Sequence, residues 1–200
     1  MKIIRYSLGQ MRANCYFLVE GDSCLIVDPG DEADFLTEEI QRQKLQPVAI
    51  LATHGHFDHV MAVGEIQRSF PIPLYLQEAD LFLIKRLNAT AQHFLGYNPY
   101  CLPPTIIKKL EKGDWEIGNF KLQVITSPGH TPGGCCFYFK DEQVVFTGDT
   151  LFKDGIGRYD FSYSNKKDLD ESIAKILTLP EGTTIYSGHG DETVIPLSHF

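Results

Sequence analysis

Residues 48–60, VAILATHGHFDHV, constrain this chain more than any other stretch. VAILAT is a continuous apolar run of the kind that forms a strand buried on both faces. His54, His56, Asp58 and His59 follow within six positions. Side chains alternate on an extended segment, so His54 and His56 point the same way and can grip one ion. The chain then turns, bringing Asp58 and His59 toward a second position. A polar loop opening a helix, with Asp58 as its N-cap, would account for any one of these residues. Four ligand types at this spacing instead fit imidazole and carboxylate coordination of zinc or a similar borderline metal.

Three further residues share one positional logic. His130 follows LQVITSPG, Asp149 follows VVFTG and His189 follows TIYSG, so each sits just past an apolar run beside glycine. Small neighbours let backbone approach a buried ion closely. Taken singly, Ser-Pro-Gly-His and Gly-Asp-Thr also read as ordinary turns. Ligands grouped at one edge of packed sheets can converge without long unsupported loops.

The rest of the chain reads as strands with helices outside them. Residues 2–7, 14–19 and 24–28 are β-rich, with Gly21-Asp22 as a hairpin turn. A helix is expected from about Glu32 to Lys44, with Phe35, Leu36 and Ile40 on one face. Another should start near His59 and carry Val60, Val63 and Ile66. Residues 77–87 read as helix and 92–105 as an ordered loop rich in aromatics and proline. WEIG, FKLQVIT, CCFYFK and QVVFTG read as strands, with a turn at Asn119. Lys167–Leu179 reads as a helix and 183–188 as a strand. No linker or low-complexity stretch divides the two β-rich halves, so one domain over residues 1–200 is expected.

The formal net charge of −8, without a basic run, excludes an obvious nucleic-acid surface and disfavours anionic membranes. Arg5, Gln10, Arg12 and Asn14 interrupt the N-terminal apolar residues, which argues against a secretory signal. No stretch approaches the roughly 18 apolar residues of a membrane-spanning helix. Five cysteines, an odd number with two adjacent, suit reduced buried thiols. Together these point to the cytoplasm. Cys135 and Cys136 lie inside a strand pattern and read as core. His93 reads as a surface residue, with a place lining the substrate pocket as the alternative, and His199 as a tail residue.

The order THGHFDH, SPGHTPGG, FTGDTLF, SGHG resembles the metallo-β-lactamase superfamily, and within it the glyoxalase II branch of hydroxyacylglutathione hydrolases. DPG at 28–30 extends the likeness toward the N-terminus. The resemblance implies an α/β (α+β) fold, an αββα four-layer sandwich with two divalent metal ions at one edge. Zinc is the first expectation, with iron and manganese as alternatives. His54, His56 and His130 would hold one ion, Asp58, His59 and His189 the other, and Asp149 would bridge them. Asp28 falls where a carboxylate could orient a ligand histidine through its free ring nitrogen, or it simply forms an Asp-Pro-Gly turn. GDTLFKDGIGRYDF adds Lys153 and Tyr159 as candidate substrate contacts, and Arg158 with Asp160 as a structural ion pair.

The implied activity is hydrolysis of a small-molecule thioester such as S-lactoylglutathione by a metal-bridging hydroxide, with Asp58 as the catalytic carboxylate. Glyoxalase II proteins carry a further helical region that supplies basic glutathione-binding residues. Eleven residues follow His189 here, and none is available for those roles. A mononuclear-iron persulfide dioxygenase and a lactonase of the same fold are the alternative readings. A true β-lactamase is disfavoured by Asp149. Pocket residues are expected from 77–105.

Overall fold

The computed structural model describes residues 1–197; the tail position His199 lies outside them. Two six-stranded sheets carry the architecture. The first runs in the order β1 (Lys2–Leu8), β2 (Ala13–Glu20), β3 (Ser23–Val27), β4 (Gln46–Leu51), β5 (Leu74–Leu76), β6 (Ile107–Lys109). Its first three strands are antiparallel and β3 to β6 are parallel. The second sheet is ordered β14 (Thr193–Val194), β13 (Thr184–Ser187), β10 (Val144–Gly148), β9 (Cys135–Phe139), β8 (Phe120–Thr126), β7 (Gly113–Ile117). A small hairpin, β11 (Leu151–Phe152) with β12 (Gly155–Ile156), follows β10.

The alternation of side chains along the central strands explains the layering. In β2 and β3, Tyr16, Leu18, Leu25 and Val27 point between the sheets, where they meet Leu122, Phe137 and Phe146. Cys15, Phe17, Cys24 and Ile26 point outward, against Leu36, Ile40, Val63 and Ile66. These last belong to α1 (Ala33–Arg42) and α3 (Val63–Ser69), separated by β4 and the short α2 (Phe57–Val60). On the outer face of the second sheet, Cys136, Val145 and Ile185 pack against Leu169, Ile173 and Ile176 of α6 (Lys166–Ile176). Strands buried on both faces therefore read as unbroken apolar runs, and each large side chain withdrawn from water contributes on the order of 1.5–3 kcal/mol. The result is the expected αββα sandwich.

Several local expectations change. Leu36 and Ile40 are buried as anticipated, whereas Phe35 is 38% exposed and lies edge-on to Tyr6. The helix expected from His59 is two short ones, α2 and α3. The stretch 77–87 breaks into a 3₁₀ turn at 78–80, α4 (Leu81–Ile84) and the start of α5 (Leu87–Leu95). Residues 92–95, expected as loop, finish α5, which Gly96 closes in the left-handed conformation that glycine adopts freely. The three-residue strands β5 and β6 are too short to show a period. All five cysteines are free and buried. Among the described residues, no helix is long and apolar enough to cross a membrane.

Candidate metal centre

Every ligand loop leaves the carboxyl end of a strand in the middle of a sheet. β4 delivers residues 53–59, β8 delivers His130, β10 delivers Asp149 and β13 delivers His189. Backbone bonds tie these loops together: Cys135 N–H donates to Thr53 O (2.8 Å) and Gly188 N–H to Gly148 O (2.8 Å). Asn14 on β2 holds the last loop, donating its side-chain amide to Ser187 O (3.0 Å) and Gly190 O (2.9 Å). The Tyr16 hydroxyl donates to the same Ser187 carbonyl at 2.6 Å. At Gly188 a Cβ would run into Asp149 Oδ1 and sit 2.6 Å from His59 Cε1, so this position accepts no side chain.

The seven residues singled out from the sequence come together. His54, His56 and His130 form one group, Asp58, His59 and His189 a second, and Asp149 joins His54 and His59 in a third. Donor atoms within each group lie within 4.8 Å of one another. Asp149 stands between the first two groups. Its Oδ1 is 3.4 Å from His59 Nε2, and its Oδ2 is 3.6 Å from His130 Nε2 and 3.7 Å from His189 Nε2. Asp58 Oδ2 is 3.4 Å from His189 Nε2.

Hydrogen bonds on the far side of each ring fix which nitrogen carries the lone pair. Arg158 O accepts from His130 Nδ1 (2.8 Å), leaving Nε2 of the neutral ring free to coordinate. Thr53 Oγ1 gives its proton to Asp28 (2.6 Å) and so accepts from His54 Nδ1 (3.1 Å). His56 turns Nδ1 inward and pairs Nε2 with the Tyr163 hydroxyl at 2.9 Å. Asp28 accepts from His59 Nδ1 (3.1 Å) and from Thr53 N–H (2.7 Å). It therefore bonds His59 directly and reaches His54 through Thr53.

The inward nitrogens collide electrostatically unless a cation lies among them. His56 Nδ1 is 3.0 Å from His54 Nε2 and 2.9 Å from His130 Nε2, and one ring proton cannot satisfy both. Among the described residues, three buried side-chain polar atoms lack any partner, and two are His59 Nε2 and Asp149 Oδ1. Buried polar groups are almost always hydrogen-bonded, so this facing pair marks a place for an ion. The donor set of imidazoles and carboxylates fits a divalent metal.

Without an ion the charges sort themselves. Burial and the neighbouring imidazoles push His54 well below the usual histidine range, and burial with His130 takes His56 to about 3. Burial opposes charge on His59 too, yet Asp149 and Asp58 outweigh it and hold this ring well above its usual range. The same partnership keeps Asp149 well below the carboxylate range despite its burial.

A cavity of about 330 Å³ opens over Asp58, Asp149 and His189. Phe57, Phe94, Phe152, Ile156, Phe161 and Tyr163 form its walls. Lys153 and Tyr159 are not brought to it; Tyr159 is 47% exposed and lies under the Lys166 ammonium. The segment 77–105 supplies Thr90 and Phe94, fewer than expected. Arg158 and Asp160 form the expected ion pair, doubly bonded at 2.9 Å. His93 is exposed, in edge contact with Phe94.

Sequence reading missed Asp80, which is fully buried. It accepts from Gly55 N–H (2.9 Å), Thr131 Oγ1 (2.7 Å) and Gly133 N–H (2.7 Å), joining the loops of His54, His56 and His130. Asn14 and Tyr163 were missed as well. None lies in a recognisable local pattern, so only the long-range fold reveals them.

Residues 8–189 match the family model described as metallo-β-lactamase superfamily. The chain is 41% identical over 196 residues to "Probable metallo-hydrolase YqgX" of Bacillus subtilis, covering 96% of this chain and 92% of that protein. It is 35% identical over 185 residues to "Hydroxyacylglutathione hydrolase GloC" of Haemophilus influenzae, covering 91% and 87%. Among solved structures it resembles TTHA1623 in a di-iron-bound form, with a TM-score of 0.89, 36% identity and coverage of 97% and 96%. The BLEG-1 B3 metallo-β-lactamase matches with the same TM-score and identity, covering 97% and 94%. With its ligand loops ordered along the two sheets in this way, the chain belongs to the metallo-β-lactamase superfamily.

Proposed function

We propose that the protein is a metal-dependent hydrolase that cleaves small thioesters, S-lactoylglutathione among them, with two divalent ions held in its His/Asp cluster. The observation that carries this reading is the buried His59 Nε2 and Asp149 Oδ1, neither with a hydrogen-bond partner, where Asp149 stands between two three-residue groups. His54, His56 and His130 would hold one ion, Asp58, His59 and His189 the other, and Asp149 both. A mononuclear oxygenase would leave the second group without a task. Zinc suits the donors; the di-iron form of TTHA1623 makes iron its competitor.

When bound, such ions lower the pKa of a shared water and polarise the scissile carbonyl. The chain supplies the rest. Asp28, Thr53, Arg158 and Tyr163 fix the ring orientations, so the donors need no reorganisation when substrate arrives. Asp58 lines the cavity and is kept ionised against its burial by His59 and His189, which positions it to accept a proton from the attacking water. The leaving thiolate needs little protonation, and among the described residues no serine or cysteine lines the cavity. The GloC relative supports the thioester class.

The test is metal-reconstituted protein with S-D-lactoylglutathione, followed by loss of thioester absorbance, beside Asp58→Ala and His54→Ala. Turnover that tracks metal content and falls by at least about 100-fold in either variant is expected. A fully metallated protein that hydrolyses no thioester refutes the proposal. A β-lactam belongs in the same panel because of the BLEG-1 likeness, and its hydrolysis alone would move the assignment to amides.

A further inference from the structure

We infer that the cavity selects thioesters by an apolar, aromatic-sized acyl group, and that the carboxylates of a glutathione carrier contribute nothing to binding. This rests on the hydrolase reading above and names its substrate class. Two independent features support it. Apolar surface predominates in the walls: five phenylalanine or tyrosine rings and Ile156 enclose the space over Asp58 and Asp149. Two of the protein's exposed large apolar side chains, Met11 (37%) and Phe94 (40%), also line this cavity. Exposed apolar surface gathered at a polar centre is the signature of a site that buries an apolar ligand.

The second feature is charge. Among the described residues lining the cavity, Arg158 is the one Lys or Arg, and it is already engaged. Both carboxylate oxygens of Asp160 lie 2.9 Å from its guanidinium, which stacks 4.6 Å over Phe161. A glutathione carboxylate would have to compete with that doubly bonded partner. Binding selectivity must then come from acyl surface, at about 4-fold in kcat/KM per buried methylene.

The experiment compares N-acetylcysteamine thioesters bearing acetyl, butyryl, hexanoyl and phenylacetyl groups with S-D-lactoylglutathione, using the metal-loaded full chain and a thiol-release readout. The expected result is kcat/KM rising with acyl size and phenylacetyl exceeding lactoylglutathione by about 10-fold or more. Phe94→Ala, at a position 40% exposed, should raise the phenylacetyl KM by roughly 10-fold while circular dichroism shows the fold retained. Salt should leave the lactoylglutathione KM unchanged, because no ion pair is being screened. A flat acyl series, or a lactoylglutathione preference that weakens in salt, overturns the inference while the hydrolase reading stands. Absence of turnover with every thioester removes that reading and this inference with it.

Discussion

Removing the carboxylate of Asp80 should loosen the metal centre from outside it. The side chain is 0% exposed and collects three donors, Gly55 N–H, Thr131 Oγ1–H and Gly133 N–H, across sequence separations of 25, 51 and 53 residues. In Asp80→Ala the threonine hydroxyl can turn to another acceptor, but the two backbone N–H groups cannot. Each buried donor left without a partner costs about 1–3 kcal/mol, giving roughly 2–6 kcal/mol together. Release of the carboxylate from its buried position, where its pKa is already raised by desolvation, offsets part of this. A net loss of about 3 kcal/mol in urea unfolding of the metal-free protein is the expected value. The untethered loops carry His54, His56 and His130, so competition with a chromogenic chelator should show metal affinity falling by about 10–100-fold. Asp80→Asn keeps one acceptor oxygen and should recover part of both effects. An Asp80→Ala protein within about 0.5 kcal/mol of the parent, with unchanged metal affinity, would show that the clamp is incidental.

Four other outcomes follow from the same geometry. Asp28→Ala removes the acceptor of His59 Nδ1 and Thr53, and should weaken metal binding by about 10–100-fold with a smaller effect on folding, read by metal titration beside circular dichroism. Against their burial, neighbouring carboxylates raise the pKa values of His59 and His189 without metal, so loading should expel a number of protons and weaken as pH falls. Binding heats in buffers of different ionisation enthalpy measure that number, and a count of zero would refute the charge assignment. Chelation should lower the melting temperature by an amount that grows with the free metal supplied to the control, without abolishing the cooperative transition. Burial raises the thiols of Cys24 to about 12 and Cys136 to about 11, so an aromatic disulfide should label none of the five rapidly until the protein unfolds.

The seven candidate ligands were legible because metal-binding side chains fall into a local pattern. His54, His56, Asp58 and His59 lie within one turn of chain, and His130, Asp149 and His189 each end an apolar strand beside glycine. The central strands were legible for a related reason: burial on both faces leaves no polar interruption. What escaped depends on distance or brevity. Asp80 looks like any acidic residue in LQEAD, and its meaning comes from partners up to 53 residues away. The three-residue strands β5 and β6 extend a parallel sheet by backbone pairing, so their side chains carry no period. In the segment after Asp149 the sequence offers Lys153 and Tyr159 as substrate contacts. The fold instead turns its apolar neighbours, Phe152, Ile156 and Phe161, toward the cavity.

The three apolar layers and the polar edge divide the tasks of this fold. Each layer closes on apolar side chains, such as Phe17 with Leu36, Leu25 with Phe137, and Cys136 with Leu169. These contacts need no metal, so the sheets should hold their strand ends in place whether or not an ion is bound. The edge is different. Seven donors converge there with two buried atoms unpartnered, an arrangement that costs stability by itself. Such a cluster persists because the surrounding packing over-determines it, and the same cost makes the site favour a cation over water. Changes to the apolar layers should therefore alter global unfolding with little effect on metal affinity. Changes at Asp28 or Asn14 should do the reverse, because they touch how the loops leave the sheets, whereas Asp80, which bonds three buried donors, should affect both.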